Sequence, residues 1–180
     1  GIQFHAWKVC FHLSSDRMRT KCGSGAVEFY ERMVQEDRLV RNPEGTAADF
    51  LNPSDPRNHD LEVRVAHELV TNYDVDGYHL DYIRYPEQGT EFEFHYGNVS
   101  RREFEKVLGS KVPNWPRDVV SGPLKLRYED WERDNITRVV RIIRSSVKSK
   151  RPNVLLSAAV WRKVHLYRTW IKQDWPRWCR

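Results

Sequence analysis

The sequence predicts an α/β fold of the (β/α)8 TIM-barrel type, with residues 1–180 forming one domain that holds a contiguous part of the barrel. Short strand-like runs alternate with helical periodicities along the chain, which is the pattern of a parallel sheet covered by helices. An open three-stranded sheet leaves its edges and one face uncovered, and a complete barrel takes about 250 residues. We therefore expect the chain to supply about three βα units of a barrel.

Three runs have the residue pattern of strands. In residues 2–9, Ile2, Phe4 and Ala6 alternate with Gln3, His5 and Trp7, and in residues 76–83 small or polar side chains alternate with large ones. This is the period of two expected of a strand. Residues 154–160 form a short apolar run that suits a strand buried on both faces.

Apolar residues at helical spacing predict three longer helices. The first spans about 25–37, the second follows an irregular, proline-containing loop at 42–59, and the third ends before Pro152. Asn58 or Asp60 is expected to cap the second helix. The predicted buried stripes are Ala26, Val27, Tyr30, Met33 and Val34; Leu61, Val65, Ala66, Leu69, Val70 and Tyr73; and Ile136, Val139, Val140, Ile143 and Val147.

A long loop is predicted between the second strand and about residue 130. Within it, Ser100 and Glu103 have the spacing of a capping box and predict one short helix. After the third strand, Tyr167, Trp170, Ile171 and Trp178 begin another amphipathic segment.

The charge pattern argues against nucleic acid as a partner. The net charge is +5, but basic residues alternate with acidic ones through 28–41 and 127–144, as on solvated helix faces with ion pairs. No run approaches the roughly 18 apolar residues of a membrane span. The chain opens directly on a predicted strand, so we expect further sequence upstream, together with any export signal.

The cysteines and known short motifs give no support for a cofactor. Cys10, Cys22 and Cys179 lack the CxxC spacing of a structural zinc site. Cys10 and Cys22 flank one loop and can pair if the protein is exported, and three free thiols are the alternative. The sequence has no GxSxG elbow, Gly-rich phosphate loop or HExxH helix.

The best candidate catalytic residue lies on the strand at 76–83. Its period of two places Gly77, His79 and Asp81 on one face, and the larger apolar side chains between them face the helices. Asp81 is nearest the carboxyl end, where barrel enzymes place their catalytic groups. Asp76 lies about 16 Å away at the opposite rim and is predicted to serve a turn or cap.

Neighbouring side chains are candidate substrate ligands. Arg84 either holds Asp81 ionised, binds substrate oxygens, or forms a salt bridge that supports its loop. Trp7, toward the carboxyl end of the first strand, offers a flat apolar face to a pyranose ring, although a buried core tryptophan is commoner. His5 and His79 point inward on two strands and leave a metal site open, without a third ligand at a recognisable spacing.

Blocks of sequence in a fixed order carry a family resemblance. Their order and content resemble the glycosyl-hydrolase-like family ten, a group of bacterial, usually exported, barrel proteins. The block around Asp81 is the specific one. The blocks are Gly1 to Trp7, Leu51 to Pro53, Tyr73 to Pro86, Trp131 to Asn135 and Asp174 to Cys179.

The resemblance implies a glycoside hydrolase that acts on a polysaccharide or cell-wall glycan and that is exported to the periplasm, the cell surface or the medium. It places the three strands as the third, fourth and fifth of the barrel, with Asp81 as nucleophile or base, and this segment alone is expected to lack activity. The substrate-binding residues are expected to be His5, Trp7, His79, Tyr82, Arg84 and Trp161.

The second carboxylate of the reaction stays unassigned. The Asp81 block is also similar to the fourth strand of amylase-type barrels, where the aspartate is the nucleophile. Here His79 replaces their arginine, and no glutamate stands at the tip of the 154–160 strand. Glu87, Glu91 and Glu93 follow in the loop. Two further functions stay open: a non-catalytic carbohydrate-binding barrel, and a metal-dependent hydrolase using His5, His79 and Asp81.

Overall fold

The computed structural model describes residues 1–14, 16, 20–42, 44–87 and 95–179. Along the chain the elements are β1 (His5–Val9), α1 (Ser24–Gln35), β2 (Leu39–Arg41), β3 (Ala47–Leu51), α2 (Pro56–Asn72), β4 (Gly77–Asp81), α3 (Asn98–Leu108), α4 (Arg117–Val120), α5 (Lys125–Lys150), β5 (Leu155–Ala158), α6 (Val164–Trp170) and a 3-10 turn at Trp175–Arg177.

The central feature is a parallel sheet in the order β1-β4-β5. Trp7 of β1 lies opposite His79 of β4, and His79 lies opposite Ser157 of β5. Helices connect successive strands of this sheet, so the predicted α/β fold with parallel strands is confirmed. The described strands form an open sheet, and the closed barrel stays a prediction.

One face of the sheet carries the main core. Tyr78 and Leu80 of β4 are fully buried there, together with Ala66 of α2 and with Ile136 and Ile143 of α5. Helices α2 and α5 also pack against each other. Burial of these apolar side chains is the main force that holds the helices on the sheet. The prediction that the apolar side chains of β4 face the helices is confirmed.

The opposite face of the sheet is exposed to solvent. Trp7 is 69% exposed, Leu155 is 48% exposed and Val9 is 39% exposed. Trp7 is therefore not a core tryptophan. Exposed apolar side chains thus stand on this face beside the polar His79 and Asp81 of β4.

An antiparallel hairpin, β2–β3, lies at the carboxyl end of β1. The backbone N–H of Leu13 donates to Asp49 at 2.9 Å, and that of Leu51 donates to Phe11 at 2.7 Å. The prediction of an irregular loop at 42–59 was wrong, because β3 and the first turn of α2 lie within it. The other strand of the hairpin, β2, lies just before this segment and was not predicted either, because its 3 residues leave too little alternation to detect.

The predicted caps of two helices were also wrong. The N-cap of α2 is Asp55, whose side chain accepts a hydrogen bond from the backbone N–H of Arg57 at 2.9 Å. Asn58 and Asp60 lie inside the helix. The N-cap of α3 is Gly97, and no side chain forms a capping hydrogen bond at this end of the helix.

Two of the misassigned residues, Asn58 and Ser100, belong to buried polar contacts. The Asn58 amide donates to the carbonyls of Arg38 and Asn52, each at 2.9 Å. Ser100 accepts from the amide of Asn52 at 3.1 Å. These two side chains, which local spacing predicts as helix caps, are thus hydrogen-bonded to residues outside their own helices instead.

The other helix predictions were mostly confirmed. Helix α1 ends at Gln35, and α5 ends at Lys150, shortly before Pro152. Helix α5 begins at Lys125, inside the predicted loop, and Tyr73, predicted to be buried, is 57% exposed. A second, aromatic core lies between α3, α4 and α5 and contains Tyr96, Phe104, Val112, Val119, Tyr128 and Trp131.

The three cysteines are free thiols, with Cys10 buried and Cys22 and Cys179 exposed. Burial raises the pKa of the Cys10 thiol well above its ordinary value, so this side chain is protonated at neutral pH.

Among the helices in the described part of the chain, none is long and apolar enough to cross a membrane.

Candidate active site

Most of the side chains predicted to bind or act on a substrate lie toward the carboxyl end of the parallel sheet. Asp81 is the last residue of β4 and lies opposite Val9 of β1. Trp7 and His79 lie opposite each other, two residues nearer the amino end on their strands. Because side chains two apart on a strand share a face, Trp7, His79 and Asp81 all project from the exposed side of the sheet.

The carboxylate of Asp81 is held by two donors. The indole Nε1–H of Trp7 donates to Oδ2 at 3.0 Å, and the backbone N–H of Tyr82 donates to Oδ1 at 2.8 Å. One donor comes from the neighbouring strand and the other from the next residue. Together they fix the carboxylate in a single orientation at the strand tip.

Tyr82 takes an uncommon backbone conformation directly after Asp81. Its φ of 52° lies in the left-handed region, which large side chains rarely adopt. This turn ends β4 at Asp81, short of the predicted strand end at residue 83. It also aims the Tyr82 N–H at the Asp81 carboxylate, and backbone strain of this kind is concentrated at functional sites.

His79 and His5 lie at different levels of the same face. The Nδ1 atom of His79 is 2.9 Å from the hydroxyl of Ser157, and its ring meets that of Trp7 edge-on at 5.2 Å. His5 lies one layer deeper, over Gly77, where a Cβ atom would come within 2.3 Å of the imidazole. His5 is thus set back from Asp81, and Gly77 leaves room for its ring.

A cleft of about 400 Å³ opens beside Asp81. It brings together four of the predicted site residues, Asp81, Tyr82, Arg84 and Trp161, which come from the ends of β4 and β5. Trp7 and His79 border Asp81 on the sheet, outside this cleft. The full lining is Asp81, Tyr82, Arg84, Ala159, Val160, Trp161, Arg162 and Gln173.

Arg84 supports the loop that follows β4. Its guanidinium lies 4.6 Å from the centre of the Tyr82 ring and forms an ion pair with Glu87 at 3.3 Å. The arginine is 8% exposed. Of the roles considered from the sequence, the contacts of Arg84 match the loop-supporting salt bridge, while its place in the cleft lining leaves a contact with substrate as a proposal.

Gln173, which sequence reasoning missed, joins the two walls of the cleft. Its amide Nε2 donates to the carbonyls of Ile83 at 3.4 Å and Ala159 at 3.1 Å, and its Oε1 accepts from the backbone N–H of Trp161 at 3.1 Å. It is only 1% exposed. One side chain therefore positions the loop after β4 relative to the loop after β5.

A buried charged cluster lies behind the same loops. The carboxylate of Glu132 on α5 is 2.7 Å from Nδ1 of His95 and 3.0 Å from Nζ of Lys172. Burial alone raises the pKa of Glu132, but Lys172 and His95 outweigh it, so the pKa is lowered and the carboxylate is charged. The Nε2 atom of His95 in turn lies 3.2 Å from the carbonyl of Pro86, in the loop after β4.

His12 is a further residue at the rim that the strand periodicity does not mark. Its ring lies 4.8 Å from that of Tyr82. Partial burial and the charge of Arg84 lower the pKa of His12 from its ordinary value, so the imidazole is neutral at pH 7. It follows the end of β1, where no alternation predicts its direction.

Asp81 is the only carboxylate among the described residues that line the cleft. Glu87 is paired with Arg84, and Glu91 and Glu93 lie outside the described residues. Within the described part of the chain, no three His, Cys, Asp or Glu side chains are grouped closely enough to hold a metal ion. The described geometry thus offers one oriented carboxylate with aromatic neighbours.

A family profile described as Glycosyl hydrolase-like 10 matches residues 1–180 of this chain. The chain is 23% identical over 169 residues to the glycosyl hydrolase YngK of Bacillus subtilis (strain 168), covering 90% of this chain and 28% of that protein. It is 32% identical over 108 residues to an S-layer-related protein of Niallia circulans, covering 54% of this chain and 6% of that protein.

Solved structures support the same fold. The glycoside hydrolase domain of PgaB (BpsB) from Bordetella bronchiseptica matches with a TM-score of 0.65 at 12% identity, over 98% of this chain and 48% of that one. The α-L-fucosidase isoenzyme 2 of Paenibacillus thiaminolyticus matches with a TM-score of 0.50 at 15% identity, over 74% of this chain and 19% of that one. The chain thus has an α/β fold with glycoside hydrolase neighbours and spans less than half of their length.

Proposed function

We propose that this chain, which belongs to the glycosyl hydrolase-like 10 family, is the part of a glycoside hydrolase that carries its nucleophile or base and acts on a polysaccharide or cell-wall glycan. One observation carries the proposal. Asp81 stands at the tip of the central strand, with one donor on each carboxylate oxygen, beside a cleft that also contains Trp161.

Glycosidic cleavage needs this kind of carboxylate. It attacks the anomeric carbon or activates a water molecule, while a second carboxylic acid about 5 to 9.5 Å away protonates the leaving oxygen. Trp7 and the Tyr82 N–H keep the Asp81 carboxylate aimed into the open face of the sheet. Trp161 offers an apolar ring face to the C–H surface of a pyranose. Arg84, Tyr82 and His79 complete the proposed sugar contacts around Asp81, and His5 supports them from the layer below.

We further propose that β1, β4 and β5 are the third, fourth and fifth strands of a (β/α)8 barrel, and that the acid comes from another part of that barrel. Three features support the barrel: the open sheet, its exposed inner face and the likeness to the PgaB domain. By family resemblance, the protein is exported to the periplasm, cell surface or medium, where its glycan lies.

The test uses the full-length natural gene product and the variant Asp81→Asn. We expect turnover to fall by roughly a thousandfold or more, because a carboxamide is neither a competent nucleophile nor a base. Release of reducing ends from cell-wall and plant glycans measures the effect, and circular dichroism confirms folding. Asp76→Asn is the matched control at the opposite rim and should keep activity. Unchanged turnover of Asp81→Asn on a cleaved glycan would remove Asp81 from the mechanism.

A non-catalytic carbohydrate-binding barrel is the second candidate. It is favoured by the presence of a single carboxylate among the described residues that line the cleft. Glycan binding by the full-length protein without any release of reducing ends would support this function over hydrolysis.

A further inference from the structure

A row of aromatic side chains extends from the cleft along α6. We propose that Trp161, Tyr167 and Trp170, here called the aromatic ledge, form a subsite for a further pyranose unit of a glycan whose reacting unit lies at Asp81. The protein is then specific for oligomers and polymers rather than for single-sugar glycosides. This inference rests on the proposed function and specifies the minimum length of the glycan that the site binds well.

In the aromatic ledge, the Tyr167 ring contacts both tryptophan rings, and the two tryptophans are open to solvent. The centres of the Trp161 and Tyr167 rings are 4.4 Å apart with their planes 38° apart, and those of Tyr167 and Trp170 are 6.0 Å apart and nearly perpendicular, at 85°. Trp161 is 42% exposed and Trp170 is 49% exposed. Two exposed tryptophans joined by a tyrosine make a broad aromatic surface.

The surface chemistry fits a carbohydrate. Exposing the apolar face of a large aromatic ring to water is unfavourable in free energy. A pyranose can cover such a ring with its C–H face while its hydroxyl groups stay hydrated. Arg162, which also lines the cleft, is exposed and lies next to Trp161 in the chain. Its guanidinium is available to donate hydrogen bonds to sugar hydroxyl groups.

Backbone hydrogen bonds anchor the aromatic ledge at Trp161 and Tyr167, and Gln173, which joins the walls of the cleft, takes part in them. The backbone N–H of Trp161 donates to Gln173 Oε1 at 3.1 Å, and the carbonyl of Tyr167 accepts from the N–H groups of Ile171 at 3.1 Å and Gln173 at 3.3 Å. A surface already ordered in its binding conformation loses little entropy when a ligand binds. Gln173 thus positions the aromatic ledge and the Asp81 cleft relative to each other.

Because of its position, the aromatic ledge contributes to binding affinity only when the glycan is long enough to reach it. Trp161 lines the Asp81 cleft, whereas Tyr167 and Trp170 lie beyond it on α6. A short ligand in the cleft therefore reaches Trp161 alone, and a longer one also covers Trp170.

The test compares Trp170→Ala with the parent in the full-length natural gene product, both carrying Asp81→Asn to prevent cleavage. The probes are size-fractionated oligosaccharides of two and six units from chitin, xylan and peptidoglycan glycan strands, with binding measured by isothermal titration calorimetry. We expect Trp170→Ala to weaken binding of a six-unit ligand roughly three- to tenfold and to leave the two-unit ligand unchanged.

Two further variants guard against a general loss of structure. Trp170→Phe keeps an aromatic face and should restore most of the six-unit affinity. Tyr73→Ala removes an aromatic side chain of similar exposure from the amino-terminal rim and should change neither affinity.

Three results would overturn the proposed subsite. They are an equal loss of affinity for the two-unit and six-unit ligands, no loss of affinity for either, and no binding of any of these probes. If the protein without Asp81→Asn still cleaves a glycan in an Asp81-dependent way, the proposed function survives that result. If it cleaves none, the proposed hydrolase function fails separately.

Discussion

Asp81 receives one hydrogen bond that a side-chain substitution can remove and one that it cannot. The Tyr82 donor is a backbone N–H and persists in any variant that keeps the turn. The Trp7 donor is an indole N–H, 74 residues away in sequence. Trp7 can therefore act in two ways, as an apolar surface for a sugar and as the group that orients the carboxylate.

Trp7→Phe separates these two actions, because phenylalanine keeps an aromatic face but cannot donate a hydrogen bond. We expect kcat to fall roughly tenfold, which corresponds to the loss of one hydrogen bond to a charged group, while KM changes little. Steady-state kinetics on a cleaved glycan measure both constants. Val9→Ala, on the same strand face, is the control. A rise in KM with kcat unchanged would show that Trp7 contributes only sugar binding.

The segment from Ile171 to Asp174 links α6 to the 3-10 turn and is buried throughout. Its backbone accepts a hydrogen bond from Tyr85 N–H at 3.0 Å, through the carbonyl of Ile171. Lys172 enters the Glu132 cluster with φ at 63°, and Gln173 binds both strand-end loops. At the scale of secondary-structure elements, this segment holds the ends of β4 and β5 together.

Gln173→Met tests that role, since methionine fills a similar volume without hydrogen-bonding groups. The carbonyls of Ile83 and Ala159 and the N–H of Trp161 lose their partner, in one buried and two partly buried hydrogen bonds, so we expect the free energy of unfolding to drop by about 2–4 kcal/mol. Urea denaturation measures the loss, and KM should rise as Trp161 loses its anchor. Gln35→Met, at the exposed end of α1, should stay within about 0.5 kcal/mol of the parent. A stable Gln173→Met protein with normal KM would contradict the role.

At the scale of the whole molecule, the Glu132 cluster ties together three parts of the chain that are distant in sequence. Glu132 belongs to α5, His95 precedes α3, and Lys172 follows α6. All three side chains are almost completely buried. The cluster therefore connects the aromatic core, the loop after β4 and the carboxyl-terminal segment.

Glu132→Gln should be strongly destabilising, because it leaves the Lys172 ammonium buried without a counter-charge. We expect a loss of about 3–5 kcal/mol at pH 7, measured by urea denaturation. The pKa of Glu132 is lowered in the folded protein, so its contribution is present above the ordinary carboxyl pKa and disappears as the pH falls through the folded-state value. The difference between variant and parent should accordingly shrink in acid.

Glu129→Gln is the matched control on the same helix. Glu129 forms a longer ion pair with Arg133, at 3.9 Å, so we expect a change below about 1 kcal/mol. A loss as large as that of Glu132→Gln would mean that the general charge of α5, rather than the buried cluster, stabilises the fold.

The residues of β4 illustrate what sequence can predict here. Side-chain direction on a strand depends only on neighbours one and two positions away, so the burial of Tyr78 and Leu80 followed from the alternation. The same local rule put Asp81 at the carboxyl end of the open face. Caps were predicted less well, because Asn58 and Ser100 had equally suitable partners elsewhere in the fold.

Sequence alone thus determined the parallel α/β arrangement, the family and the position of Asp81, since each depends on local periodicity or on contiguous motifs. The tertiary structure decided which groups surround that carboxylate. The hydrogen bond from Gln173 to Ile83 joins residues 90 positions apart, and that from Trp7 to Asp81 joins residues 74 apart. No local pattern encodes such pairs, because they arise only when packing of the core brings the strand ends together.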